Sequence, residues 1–68
     1  MRQNVQVQWP WGQGTATGRV RFSYDHKITR TLQGAEITRD GSEADPALLI
    51  EQENGHRVLK LASEVERV

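Results

Sequence analysis

Sixty-eight residues hold at most one domain, expected over 1–68, and a chain this short buries only about 60% of the surface it exposes when unfolded, so its core is thin. Nine Lys and Arg balance nine Asp and Glu, and the absence of cysteine excludes a disulfide framework or a thiolate metal site and suits a reducing compartment. No apolar run approaches a membrane span, and Met1-Arg2-Gln3-Asn4 leads into alternating residues instead of a signal-peptide core, so the expectation is a soluble, cytoplasmic protein with no membrane partner.

The first predicted strand is Val5-Gln6-Val7-Gln8-Trp9, with Val5, Val7 and Trp9 on one face and glutamines on the other. Pro10 removes a backbone donor and makes Trp9 extended, so the strand is expected to end there. Trp11-Gly12-Gln13-Gly14 then turns, with Gly12 and Gly14 free to take positive φ. A second strand runs from Thr15 to Tyr24. Ala16, Gly18, Val20, Phe22 and Tyr24 share its inner face, and Arg19 and Arg21 project side by side from the outer one. Gly18 inside this pattern marks a bulge, a bend or a close backbone approach of the kind a curling sheet needs.

After the polar Asp25-His26 loop, residues 27 to 39 read as a hairpin around Gln33-Gly34. The turn sets the pairs Leu32 with Ala35, Arg30 with Ile37 and Ile28 with Arg39 on one face, and Thr31 with Glu36 and Thr29 with Thr38 on the other. Asp40 to Pro46 is an acidic, turn-rich connection. Asn54-Gly55 is then a strong hairpin signal, and read as a type I′ turn it places Leu48 opposite Leu61 and Ile50 opposite Leu59 inside. Leu49 with Lys60 and Glu51 with Val58 fall outside. Ser63-Glu64-Val65-Glu66 has capping-box spacing for one helical turn. The chain is thus expected to be all-β, a small five-stranded barrel with a short C-terminal helical turn.

Residues 11–18 (Trp-Gly-Gln-Gly-Thr-Ala-Thr-Gly), Thr29-Arg30-Thr31, Thr38-Arg39, Ser42-Glu43, Asp45-Pro46-Ala47, Leu49-Ile50-Glu51-Gln52-Glu53 and Val58-Leu59-Lys60 together carry a resemblance that spans almost the whole chain. In their order and spacing the chain resembles the hypervirulence-associated protein TUDOR domain family of small bacterial and fungal proteins. It departs where the family often has Gly-Asp and this chain reads Asn4-Val5, and at Leu48, where an aromatic is more usual. The resemblance implies an SH3-like, Tudor-like barrel with no established catalytic activity, and it transfers a fold better than a mechanism.

The Tudor name directs attention to an aromatic cage, which holds a cation against two to four ring faces. The available rings are Trp9, Trp11, Phe22 and Tyr24. Trp9 and Phe22 are in core phase, whereas Trp11, just past Pro10, and Tyr24, at a strand end, are placed to border an open groove. A second candidate is the arginine set Arg19, Arg21 and Arg39, with Arg30 and Lys27, since small barrels bind nucleic acid through cationic strand faces and aromatic rings. Residues 1–39 hold six cations against two anions, and residues 40–68 three against seven, so the two halves are expected to pair across the folded surface.

Catalysis and metal binding find little support. His26 and His56 lie at turns with no nucleophile beside them. Gly12-Gln13-Gly14 with Gly18 has the look of a phosphate loop but precedes no helix. Asp40, Glu43 and Asp45 lack the ligand ladder of a calcium site. The residues therefore point to a non-catalytic binding or adaptor module, with neither metal nor cofactor. A protein or peptide is its first expected partner, bound at the rim near Trp11 and Tyr24 or by strand addition to the Thr29–Leu32 arm. Weak, salt-sensitive nucleic-acid binding through Arg19, Arg21 and Arg39 is the alternative, and the protein is expected to be a monomer or a weak homodimer.

Overall fold

The computed structural model describes residues 4–68, so Met1, Arg2 and Gln3 lie outside the described residues. Seven strands follow in order: β1 (Gln6–Trp11), β2 (Gly14–Tyr24), β3 (Lys27–Leu32), β4 (Ala35–Asp40), β5 (Ala47–Glu51), β6 (Arg57–Leu61) and, after a 3₁₀ turn over Ala62–Glu64, β7 (Glu66–Arg67). Five form an antiparallel sheet in the order β6-β5-β2-β1-β7, and β3 with β4 forms a separate two-stranded ribbon. The main sheet therefore reaches five strands by including the short β7, which the sequence reading lacked. The fold class is as expected: a small all-β fold with a short helical turn near its C-terminal end.

The edges of that sheet, β6 and β7, are joined by only Ala62 to Val65. In a flat sheet they would lie about 19 Å apart, four spacings of about 4.8 Å. A connection built on a 3₁₀ turn, rising about 2.0 Å per residue, is too short for that distance, so the sheet must curl until its edges approach. Gly18 allows the curl. A Cβ there would lie 2.6 Å from Ile50 Cγ2 and 2.9 Å from the Glu51 carbonyl oxygen, so of the three expected reasons for this glycine, close approach is the operative one.

The break in register lies instead between Val20 and Phe22. Val20 pairs with Ile50 and Phe22 with Leu49, which leaves Arg21 as the extra residue. The bulge overturns the expected core position of Phe22, a residue 52% exposed, because its partner Leu49 stands on the opposite face of β5 from Ile50, the partner of Val20. It also splits the core in two. Val7, Trp9, Val20, Leu48, Ile50 and Val65 form one cluster, and Ile28, Ala47, Leu49 and Leu59 the other, beneath the ribbon.

Three more expectations need correction. First, β1 runs through Pro10 to Trp11. The β1–β2 hairpin closes at Trp11 opposite Gly14. Hydrogen-bonded and non-hydrogen-bonded pairs alternate from that closing pair, so Pro10, one step back, sits where the ladder needs no N–H. Gly12 (φ +57°) alone takes positive φ in this turn and Gly14 does not, which is the type II′ pattern.

Second, β5 and β6 pair one residue away from the expected register: Leu48 faces Lys60, Leu49 faces Leu59 and Ile50 faces Val58. Only Gly55 (φ +85°) of the Asn54-Gly55 pair has positive φ. Its N–H donates to the Gln52 carbonyl at 3.0 Å, and the Gln52 N–H donates to the His56 carbonyl at 2.8 Å. The loop therefore holds one residue more than a type I′ turn and sets Leu59 opposite Leu49; both are buried in the second cluster, so Leu49 does not lie outside.

Third, the helical turn begins earlier than the Ser63 spacing suggested. The Glu64 carboxylate accepts the Leu61 N–H at 2.9 Å, and Asp45 accepts both the N–H and the hydroxyl of Ser63, at 2.8 and 2.7 Å.

The ribbon matches all five expected pairs, from Ile28 opposite Arg39 to Leu32 opposite Ala35, and extends one pair further, to Lys27 opposite Asp40. Gln33 (φ +52°) and Gly34 (φ +80°) both take positive φ, as a type I′ turn requires. The Thr29 and Thr38 hydroxyls hydrogen-bond across it at 2.8 Å.

Candidate binding groove

Three hairpin turns meet at one end of the molecule and enclose a groove of about 270 Å³. The β1–β2 hairpin brings Trp11, the ribbon turn brings Gln33, and the β5–β6 loop brings Gln52, Asn54 and His56. Trp9, Ala16, Val58 and Lys60 line the rest. Trp9 is only 3% exposed and belongs to the first core cluster, so it meets the groove as part of the folded interior. Trp11, two residues on, is 73% exposed. The indole thus leaves most of its apolar surface open beside a floor fixed by the core.

The groove's walls are anchored. The Gln33 side-chain amide donates to the Arg57 carbonyl at 3.5 Å, which brings the ribbon tip against β6. The Asn54 side chain accepts the His56 N–H at 3.0 Å and so braces its own loop. The lining includes three side-chain amides, one lysine and one histidine, and no carboxylate.

The expected site residues are not all brought together. Tyr24 stands at the far end of the eleven-residue β2, opposite Ala47, whereas Trp11 pairs with Gly14 at its near end. Tyr24 instead stacks with Phe22 at 6.4 Å between ring centroids, meets His26 edge-on at 5.9 Å, and has the Arg30 guanidinium 5.3 Å from its ring centroid. A shared rim of Trp11 and Tyr24 is thereby corrected. Of the four aromatic residues considered for a cage, only Trp9 and Trp11 line this groove. Lys60 beside them opposes a second cation.

Arg19 and Arg21 lie near Glu51, Arg19 as its direct partner in the β2–β5 register. Arg21 Nε lies 3.8 Å from the Glu51 carboxylate and Arg57 Nε 3.6 Å, while an Arg21 guanidinium N–H donates to Asn4 Oδ1 at 2.9 Å. Arg39 pairs with Glu64 at 3.3 Å. Two ion pairs, Arg21 with Glu51 and Arg39 with Glu64, thus join the basic first half to the acidic second half. Among the described residues, no group of three or more His, Cys, Asp or Glu forms a metal-binding cluster, and no helix is long and apolar enough to cross a membrane.

Gln33, Gln52, Asn54, His56, Val58 and Lys60 line the groove without having been expected there. Each belongs to a hairpin whose existence was legible, but turn chemistry does not say which tips will meet. Val58 and Lys60 were further hidden by the one-residue slip of β6.

In comparison with known proteins, the family described as Hypervirulence associated proteins TUDOR domain matches residues 5–65. No curated protein and no solved structure gives a significant match.

Proposed function

Because the chain belongs to the hypervirulence-associated protein TUDOR domain family and is a non-catalytic binding module, we propose that its ligand is a protein segment bound as an extended peptide in the groove beside Trp11. The carrying observation is the 73% exposure of Trp11 over a groove whose floor includes the buried Trp9. Tryptophan is among the side chains that dominate protein interfaces, and aromatic grooves with neighbouring amides suit extended peptides. Nucleic-acid binding through Arg19, Arg21 and Arg39 has weaker support, because Arg21 and Arg39 already face carboxylates.

Selection of a random ten-residue display library on the labelled protein, followed by NMR titration with the selected peptides, tests this reading. Selected peptides should shift the Trp11 indole N–H and the Gln33, Gln52 and Asn54 side-chain amides. Trp11→Ala should weaken them by about 2 kcal/mol, roughly 30-fold, while leaving the fold intact. Shifts confined to Phe22, Tyr24 and the ribbon would refute the site.

A further inference from the structure

The charge lining this groove is unlike that of its neighbours. The cleft on the other side of Trp9 contains Glu64 and Glu66, and the depression at Arg19 contains Glu51 and Glu53. The apolar furrow between the ribbon and β6 carries Arg39 and Arg57, but both are paired with carboxylates and no aromatic lies there. At the Trp11 groove the cationic side chain is Lys60, half-buried, and no carboxylate lines the site. Among the described residues, no ion pair engages it. The stem of Lys60 is half-buried and its charge has no carboxylate partner among those residues, so a ligand carboxylate that reaches it in the groove gains a charge-assisted contact.

We infer that the groove selects a peptide segment bearing a carboxylate, with that carboxylate on Lys60 and an adjacent ring or apolar side chain on Trp11. The inference rests on the peptide reading above and adds the chemistry of the ligand. Gln52 and Asn54 supply donors and acceptors for the peptide backbone between the two anchors. The same charge excludes a methylated ammonium, which would meet Lys60 as a like charge. Phosphates would also satisfy Lys60, but nucleic-acid affinity grows with the number of phosphates neutralised, and this groove offers one lysine on a chain of zero net charge.

The test uses three pools of ten-residue peptides built on a fixed Tyr-Pro centre, with flanks of Asp and Glu, of Asn and Gln, or of Lys and Arg. A ten-nucleotide oligothymidine is the fourth probe. Affinities are read from the Trp11 indole N–H signal at physiological salt on the unmodified protein, on Lys60→Gln and on Lys60→Glu. The acidic pool should bind the unmodified protein about five- to tenfold more tightly than the amide pool, the range for a charge-assisted contact in a partly sheltered site. Lys60→Gln should abolish that preference, and Lys60→Glu should transfer it to the basic pool.

Equal affinity for the acidic and amide pools, with Trp11 still shifting, overturns carboxylate selection and leaves the peptide groove standing. Tighter binding of oligothymidine than of the acidic pool overturns it in favour of phosphate. If no peptide pool moves Trp11, the groove reading itself falls. The comparison of pools on the unmodified protein decides the matter even if a Lys60 variant were to lose its fold.

Discussion

Gly41 is buried where the ribbon hands the chain back to the main sheet, and replacing it with alanine tests the account of the fold at its tightest point. A Cβ there would lie 2.6 Å from the Tyr24 carbonyl oxygen, 2.8 Å from the Ala47 amide nitrogen and 2.9 Å from the His26 carbonyl oxygen. All three are backbone atoms, so no rotamer change can relieve the contact. Either the end of β2 or the start of β5 must move. Overpacking of this kind costs about 1–3 kcal/mol, and three backbone contacts place Gly41→Ala near the upper end. At about 0.05–0.15 kcal/mol per residue, the whole domain is worth only about 3–10 kcal/mol, so the variant should approach the limit of foldability. Urea unfolding followed by tryptophan fluorescence measures this through the buried Trp9. With a slope of about 1 kcal/mol per molar urea, the midpoint should fall by about 2–3 M. Two glycines provide controls. Gly14→Ala places its Cβ 3.9 Å from the nearest atom at ordinary φ and should stay within about 0.5 kcal/mol of the parent. Gly12→Ala meets open space but at φ +57° and should lose about 1 kcal/mol to backbone strain alone. A Gly41→Ala midpoint equal to that of Gly14→Ala would refute the close-packed crossing.

Leu48→Ala should cost about 2–5 kcal/mol, because Leu48 is fully buried in the first cluster, whereas Phe22→Ala, at a ring more than half exposed, should cost less than about 1 kcal/mol. Equal losses in urea unfolding would contradict the bulge at Arg21 that turns Phe22 outward. Asp45→Ala removes the carboxylate that accepts the Ser63 N–H and hydroxyl, and should destabilise by about 1–2 kcal/mol at this half-buried site. Hydrogen exchange gives the sharper readout. The Ser63 amide should lose protection first, and its unchanged exchange would show that Asp45 does not hold the turn.

What the sequence could and could not show is clearest in the two hairpins carrying Gly34 and Gly55. At Gln33-Gly34 both residues take positive φ, a two-residue turn forms, and every cross-strand pair of the ribbon follows from its position. At Asn54-Gly55 the dipeptide signal is stronger, yet only the glycine takes positive φ and the loop gains a residue. The dipeptide fixes that a hairpin occurs. It does not fix loop length, because a glycine at positive φ also ends a longer loop. The signal that would have decided between them lies in β5. Ala47, Leu48, Leu49 and Ile50 form an unbroken apolar run and are all buried, the pattern of a strand covered on both faces, which is incompatible with leaving Leu49 outside. The bulge at Arg21 left no comparable trace, since β2 alternates smoothly through Phe22 in the sequence and departs only in its pairing with β5.

These two departures also explain why the candidate site was only half legible. A one-residue slip exchanges the faces of a strand. In the expected register, Val58 and Lys60 would stand opposite Glu51 and Leu49, outside the barrel. In the observed one they stand opposite Ile50 and Leu48, and they line the groove that Trp9 and Trp11 border from β1. Exposed Trp11 was foreseeable from Pro10-Trp11-Gly12 alone. Its charged neighbour was not, because Lys60 reaches it through the extra residue at Gly55 and the curl of the sheet that Gly18 permits. The same slip that sets Leu59 against Leu49 therefore brings Lys60 to the groove, so the second core cluster and the chemistry of the binding site depend on one loop.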